Sequence, residues 1–302
     1  MKSILSIIKN RHKENKSIRR VKHVSGLFLA PSFFGVSLFF LIPFCVVIFY
    51  AFVDNPVSHQ FVFLDNFRNV LTNQAFKLAV KNTFQFSFIA VPLAVILSLA
   101  MAFALEREIP GKSRIRAALL SPMMVPIASV ILIWQVLFHY NGLVNEILQF
   151  WGEGKIDWLK SGYAQIVIIL LFIWKNLGYN MILFMAALGN IPKEILEVAR
   201  MESANEWQIF IHIKLRYISS SILFVTILSL INSFKIFREV YLLSGDYPFD
   251  ALYMLQHYMN NTFRSLDYQK LSAAAIIMSL FMIFLIGLLF LIENHFGKDI
   301  EG

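Results

Sequence analysis

The stretch that decides the reading is Ile191–Arg216, IPKEILEVARMESANEWQIFIHIKLR. Glu194, Glu197, Arg200, Glu202 and Glu206 alternate with Ile195, Leu196, Val198 and Met201. That alternation has the period of an amphipathic helix, opened by Pro192 at its first position and capped by Asn190. Long apolar runs flank it on both sides. A charged, two-sided helix held between membrane spans either lies on the bilayer surface or offers a docking face to a soluble partner.

Working outward, the chain has 302 residues, 58% hydrophobic and only 15% charged, with a mean hydropathy of +0.64. Its apolar runs reach about 20 residues, the length that crosses the hydrocarbon core as helix. These features predict an all-α polytopic membrane protein with six transmembrane helices, at about 27–53, 84–105, 117–138, 163–188, 217–243 and 271–292. The transmembrane domain is 27–293, with a basic segment, 1–26, before it and a short tail, 294–302, after it. The net charge of +8 does not point to nucleic acid, because 8 of the 27 Lys and Arg fall in the first 22 residues. A basic segment before a first span fits the positive-inside rule and anionic lipid. With the N-terminus inside, the inner segments hold 17 Lys and Arg and the outer segments 7. The bias predicts an N-in, C-in orientation and places Ile191–Arg216 in the cytoplasm.

Enzyme chemistry finds no foothold. Gly111-Lys112-Ser113 resembles the end of a phosphate-binding loop, but the required earlier glycine would be at position 106, which is Glu106. The single cysteine and seven scattered histidines have no metal-ligand spacing. Charges within spans are the informative exceptions, since each costs about 2.5–3.5 kcal/mol at a helix centre on insertion scales. They are Lys175 in the fourth span and Lys235 and Arg238 in the fifth, with Glu239 four residues after Lys235 and so able to pair with it along the helix. Lys235 and Arg238 either snorkel from the span's outer end or line a watery cavity with Asn232 and Phe234. Lys175 is similarly set among Trp174, Asn176, Tyr179 and Asn180. Aromatic faces interleaved with Asn, Lys and Arg suit a sugar, although an interfacial aromatic belt would look alike.

The chain resembles the permease subunits of binding-protein-dependent ABC importers, in the carbohydrate-uptake branch. The resemblance rests on Glu197-Val198-Ala199, Glu202-Ser203-Ala204 and Ile213-Lys214-Leu215-Arg216, which follow the family's E-A-A, D-G-A and I-x-L-P pattern. It also rests on Phe63 to Phe67, Lys81-Asn82-Thr83, Pro122 through Pro126, Ile191 to Glu194, Asn232 to Phe237 and Tyr241-Leu242-Leu243. It implies that Glu197, Ala199, Glu202, Ser203 and Ala204 form a cytoplasmic coupling helix, between spans four and five, that docks on an ATPase. Val198, Glu202, Ser203 and Arg216 depart from the pattern, and a serine in place of glycine adopts the turn only at a cost.

The implied partners are a second, different permease subunit, two ATPase subunits, an extracytoplasmic solute-binding protein and membrane lipid, in a bacterial inner (plasma) membrane. No cofactor is expected in this chain, because ATP and magnesium belong to the ATPases. The substrate-path residues are Asn176, Asn180, Asn232, Lys235 and Arg238, and the substrate class is a sugar or oligosaccharide. The alternatives are an ion-coupled secondary transporter, which would want paired acidic residues at mid-membrane and broken helices related by repeat, and a membrane scaffold without transport.

Overall fold

A computed structural model of the chain describes residues 28–106 and 109–297; the basic segment 1–26 and the last residues of the tail lie outside them. Apart from an isolated bridge between Val53 and Phe61, the regular structure among the described residues is helical. Five helices are long and apolar enough to cross a membrane, and a bent pair makes a sixth crossing if taken as one.

The first span is α1 (Phe28–Ala51). Pro43 cannot donate a backbone hydrogen bond, and the turn before it widens into a π-helix at Ser37–Leu41, where Ile42 N–H bonds Ser37 O. Short helix α2 (Asp65–Thr72) follows. The central helix is α3 (Gln74–Ala104), whose start is set by the Asn73 side chain accepting from Phe76 N–H at 3.1 Å. It packs along α7 (Ala164–Gly189), with Phe86, Ala90 and Ala94 against Ile168 and Phe172 in a buried cluster. Between them run α4 (Lys112–Met124), α5 (Ile127–Leu137) and α6 (Leu143–Phe150).

A continuous third span over 117–138 is not what forms. Helices α4 and α5 meet at a bend of 100°. Val125 is extended, at φ −91° and ψ 132°, because Pro126 excludes the helical conformation from the residue before it and has no N–H to give. Pro122, by contrast, is held inside α4. Backbone freed from helix at membrane depth is tolerated where it lines a cavity. Pro122, Met123 and Val125 do line one.

The polar stretch after α7 also differs from a single helix. Asn190 ends α7 rather than starting the next helix, and Pro192 is the residue before α8 (Lys193–Met201). A tight turn separates α8 from α9 (Glu206–Ile209), which continues as a π-helix over Phe210–Lys214 and ends in Leu215–Tyr217. The fifth span is interrupted too, into α10 (Ser219–Phe234) and α11 (Phe237–Ser244), with a tightened turn at Lys235 and Ile236. Helix α12 (Leu255–Arg264) lies on the segment leading to the last span, α13 (Tyr268–Gly297). Phe33, Phe39, Phe40, Ile283, Phe284 and Leu291 are exposed on the first and last spans, as surfaces facing lipid or another subunit are.

Candidate functional site

Both interrupted spans border one cavity of about 600 Å³. Its wall is built from Pro122, Met123 and Val125 at the α4–α5 bend, Phe172, Lys175, Asn176 and Tyr179 on α7, and Asn232, Lys235, Arg238 and Glu239 around the α10–α11 break. Four of the five residues expected to meet a substrate are therefore together: Asn176, Asn232, Lys235 and Arg238. Asn180 is not among them. It is fully buried and donates to Ser229 Oγ at 2.9 Å, tying α7 to α10 away from the cavity. Phe234 is likewise buried, against Phe281.

The polar wall is cross-braced. Asn232 Nδ2 donates to Asn176 Oδ1 at 3.1 Å, and Asn176 Nδ2 donates to Phe172 O at 2.8 Å. Glu239, only 2% exposed, does not pair with Lys235 as helical spacing predicts; Lys175 on α7 donates to its Oε1. The break at Lys235 and Ile236 removes the helical register that would bring residues 235 and 239 face to face. Arg238 reaches the same oxygen only at 3.7 Å and is 65% exposed. The cavity wall thus carries three basic groups and one acid. Tyr179 supplies ring surface beside them.

A second feature is the elbow formed by α8 and α9. In the turn between them Ala204 N–H donates to Ala199 O, and Ser203 N–H to Arg200 O, both at 3.0 Å. This is a Schellman closure, which demands a left-handed residue at its fifth position. Ser203 fills it at φ +63°. The glycine of the family pattern is therefore explained by the turn, and its replacement here stores strain of about 1–2 kcal/mol. The sequence from Asn205 to Gln208 also carries a capping box. Asn205 Oδ1 accepts from Gln208 N–H at 2.8 Å while Gln208 Oε1 accepts from Asn205 N–H at 2.9 Å. Arg200 bridges to Glu206 at 3.1 Å across the turn. Of the residues expected to dock, Glu197, Glu202 and Ser203 are exposed, Ala204 is half-buried and Ala199 is buried. Val198, Met201 and Trp207 stand exposed beside them.

The elbow is joined to the membrane helices by a buried ion pair and by Leu196, which packs against the cluster holding Leu188 and Ile218. Lys214, 2% exposed, donates to Glu106 Oε2 at 2.6 Å just past the end of α3. Its ammonium lies 5.1 Å from the Phe103 ring centre, and Phe103 packs on Phe210 at 4.5 Å. From there α3 leads to α7 through Ser98, whose hydroxyl donates to Leu177 O at 3.1 Å, and to α10 through the Ser87–Ser233 hydroxyl pair at 2.8 Å. No group of three His, Cys, Asp or Glu able to hold a metal occurs among the described residues.

A bundle of membrane helices with a polar cavity where one span is bent and another carries a tightened turn, and a charged elbow beside them, fits a membrane transport subunit. The comparisons name the class further: the chain belongs to the family described as "Binding-protein-dependent transport system inner membrane component", matched over residues 94–302. It is therefore an inner-membrane component of an ABC-type transport system. It is 28% identical over 288 residues to the probable ABC transporter permease protein YesP of Bacillus subtilis (strain 168), covering 93% of this chain and 92% of that one. It is also 28% identical to the trehalose/maltose transport system permease protein MalF of Thermococcus litoralis, over 79% of this chain and 81% of that one. Among solved structures, a chain of a bacterial ABC transporter involved in the import of the acidic polysaccharide alginate superposes with a TM-score of 0.79. That match covers 95% of this chain and 99% of the other at 20% identity, and shows the shared fold.

Proposed function

We propose that this chain pairs with a second permease to enclose the path of a saccharide delivered by an extracytoplasmic solute-binding protein, and that its elbow docks on one of two ATPase subunits. The observation that carries this reading is the cavity, where Asn176, Asn232, Lys235 and Arg238 converge with Tyr179 at the bent span and the tightened turn. Hydroxyls of a sugar can replace water at the Asn amides and basic groups, while a C–H face packs on Tyr179. Relatives whose names specify trehalose/maltose, lactose and arabinooligosaccharides support the substrate class.

The excess of basic residues on one side supports an N-in, C-in orientation, with the elbow in the cytoplasm. Its outer face offers Glu197, Val198, Glu202, Ser203 and Trp207 to an ATPase groove, and Ala199 and Ala204 let α8 and α9 close on each other. Closure of the ATPase dimer on ATP would push α8 and α9. The Lys214–Glu106 bridge and the Phe103–Phe210 contact pass that motion to α3, and α3 passes it to the cavity helices. The two access states then differ in affinity for the substrate, as any ligand-driven switch requires.

An ion-coupled carrier is less well supported, because the buried acid in the cavity, Glu239, is already engaged by Lys175. The docking role is tested with Glu197→Lys, an exposed position whose replacement spares the packing. ATPase copurification and uptake should both fall. An intact complex with normal uptake would contradict docking at the elbow.

A further inference from the structure

We propose that the cavity is built for a saccharide that carries negative charge, a uronate or another acidic sugar, with Lys235 and Arg238 as the groups that receive its carboxylate. The inference rests on the reading of the cavity as a substrate path and adds the substrate's charge. The titratable lining comprises Lys175, Lys235, Arg238, Glu239 and the neutral phenol of Tyr179. Glu239 is almost fully buried, and its Oε1 is taken by Lys175 from the neighbouring helix. That pair is internal to the wall and neutral. What remains is Lys235, exposed to the cavity with no acid bonded to it among the described residues, and Arg238, 65% exposed and 3.7 Å from an oxygen already engaged. The lining thus holds two more cations than acids, an excess that is costly within a membrane span, and low-dielectric walls focus its field onto whatever enters. A neutral sugar would leave that charge unmatched. A carboxylate would meet it with charge-assisted hydrogen bonds, which Arg can give in bidentate form.

The test probes the charge of the cavity in the assembled importer, so that acidic residues of the second permease are counted as well. Met123 lines the cavity and Gln149 is exposed on α6. In a Cys45→Ala background, Met123→Cys is reacted with a thiosulfonate reagent bearing a sulfonate head and with one bearing a trimethylammonium head. Both rates are normalised to Gln149→Cys. Field focusing by the two cations should favour the anionic reagent by at least about tenfold, and the combined Lys235→Gln and Arg238→Gln variant should bring the ratio near unity. A ratio near or below unity in the unaltered lining would overturn the proposal, showing that the partner permease neutralises the site. Failure of both reagents to react at Met123→Cys, with normal reaction at Gln149→Cys, would instead remove the solvent path itself and with it the underlying reading. Mass spectrometry of the solute extracted from the native binding protein supplies the second arm. An acidic saccharide supports the proposal, and a neutral one overturns it even in a positive cavity.

Discussion

Gly178→Ala is the substitution whose consequence follows most directly from the geometry. Gly178 sits on α7 between the cavity residues Asn176 and Tyr179, where α4 crosses it. A Cβ at this position would lie 1.9 Å from Leu119 O and 2.6 Å from Leu119 C. Both obstructing atoms are backbone, so no side chain can swing away. Ordinary contact begins near 3.4 Å, so α4 and α7 must part by about 1.5 Å, and separating packed helices in this way costs about 3 kcal/mol, the upper end for overpacking. Close helix approach through small residues is the usual packing device in membranes. Because α4 carries Pro122 and Met123 into the cavity wall, the separation also opens the site. Thermal unfolding of the purified subunit in nanodiscs should show a clear loss of stability, with uptake reduced in parallel. Gly189→Ala on the same helix is the control, since nothing lies within 4 Å of a Cβ there, and it should be neutral or mildly stabilising by helix propensity. Equal behaviour of the two variants would refute the argument from close approach.

Other consequences can be measured. Ser203→Gly should relieve about 1 kcal/mol of left-handed strain and raise hydrogen-exchange protection across 198–204, whereas Ser203→Val should lower it; the reverse order would contradict the Schellman turn. Glu106→Gln should cost about 2 kcal/mol, less than a fully buried pair because Glu106 is 32% exposed, and should lower uptake per ATP hydrolysed while ATPase copurification persists. Unchanged coupling would show that the Lys214 bridge does not transmit. His257 is buried on α12, and burial depresses its pKa to about 4. The unfolded chain therefore binds more protons between pH 6.5 and 4, so stability is complete above that window and falls through it, by on the order of 3 kcal/mol. A thermal midpoint flat across that range, or one that His257→Gln leaves equally steep, would argue against a neutral buried imidazole.

Most of the spans and the outlying polar segment were legible because length and hydropathy are properties of composition along the chain. The cavity was partly legible. Charged and amide side chains within apolar runs are rare enough to mark Asn176, Asn232, Lys235 and Arg238, and these do converge. Asn180 shares a helix face with Asn176 but lies about 6 Å further along the axis, far enough to meet Ser229 instead of the cavity. The Lys175–Glu239 pair was illegible because its members are 64 residues apart, while the nearer partner Lys235 is displaced by the α10–α11 break. The bend at Val125 had a signal in Pro126, but an apolar run with two prolines reads equally as a kinked span. The turn at Ser203 was half legible: the replaced glycine marked a special backbone position, and its left-handed φ identifies which one.

If an ATPase docked on the elbow uses ATP to drive a saccharide through the cavity of this chain, transport must run on ATP without an ion gradient. The most direct measurement reconstitutes this chain with its second permease, ATPases and binding protein in proteoliposomes and follows uptake of the solute the binding protein carries. The vesicles hold either trapped ATP or only an imposed sodium or proton gradient. Uptake with ATP alone is expected, abolished by Glu197→Lys and strongly reduced by replacing Asn176 and Asn232 together with alanine. Uptake sustained by an ion gradient without ATP, or transport indifferent to both sets of substitutions, would contradict it.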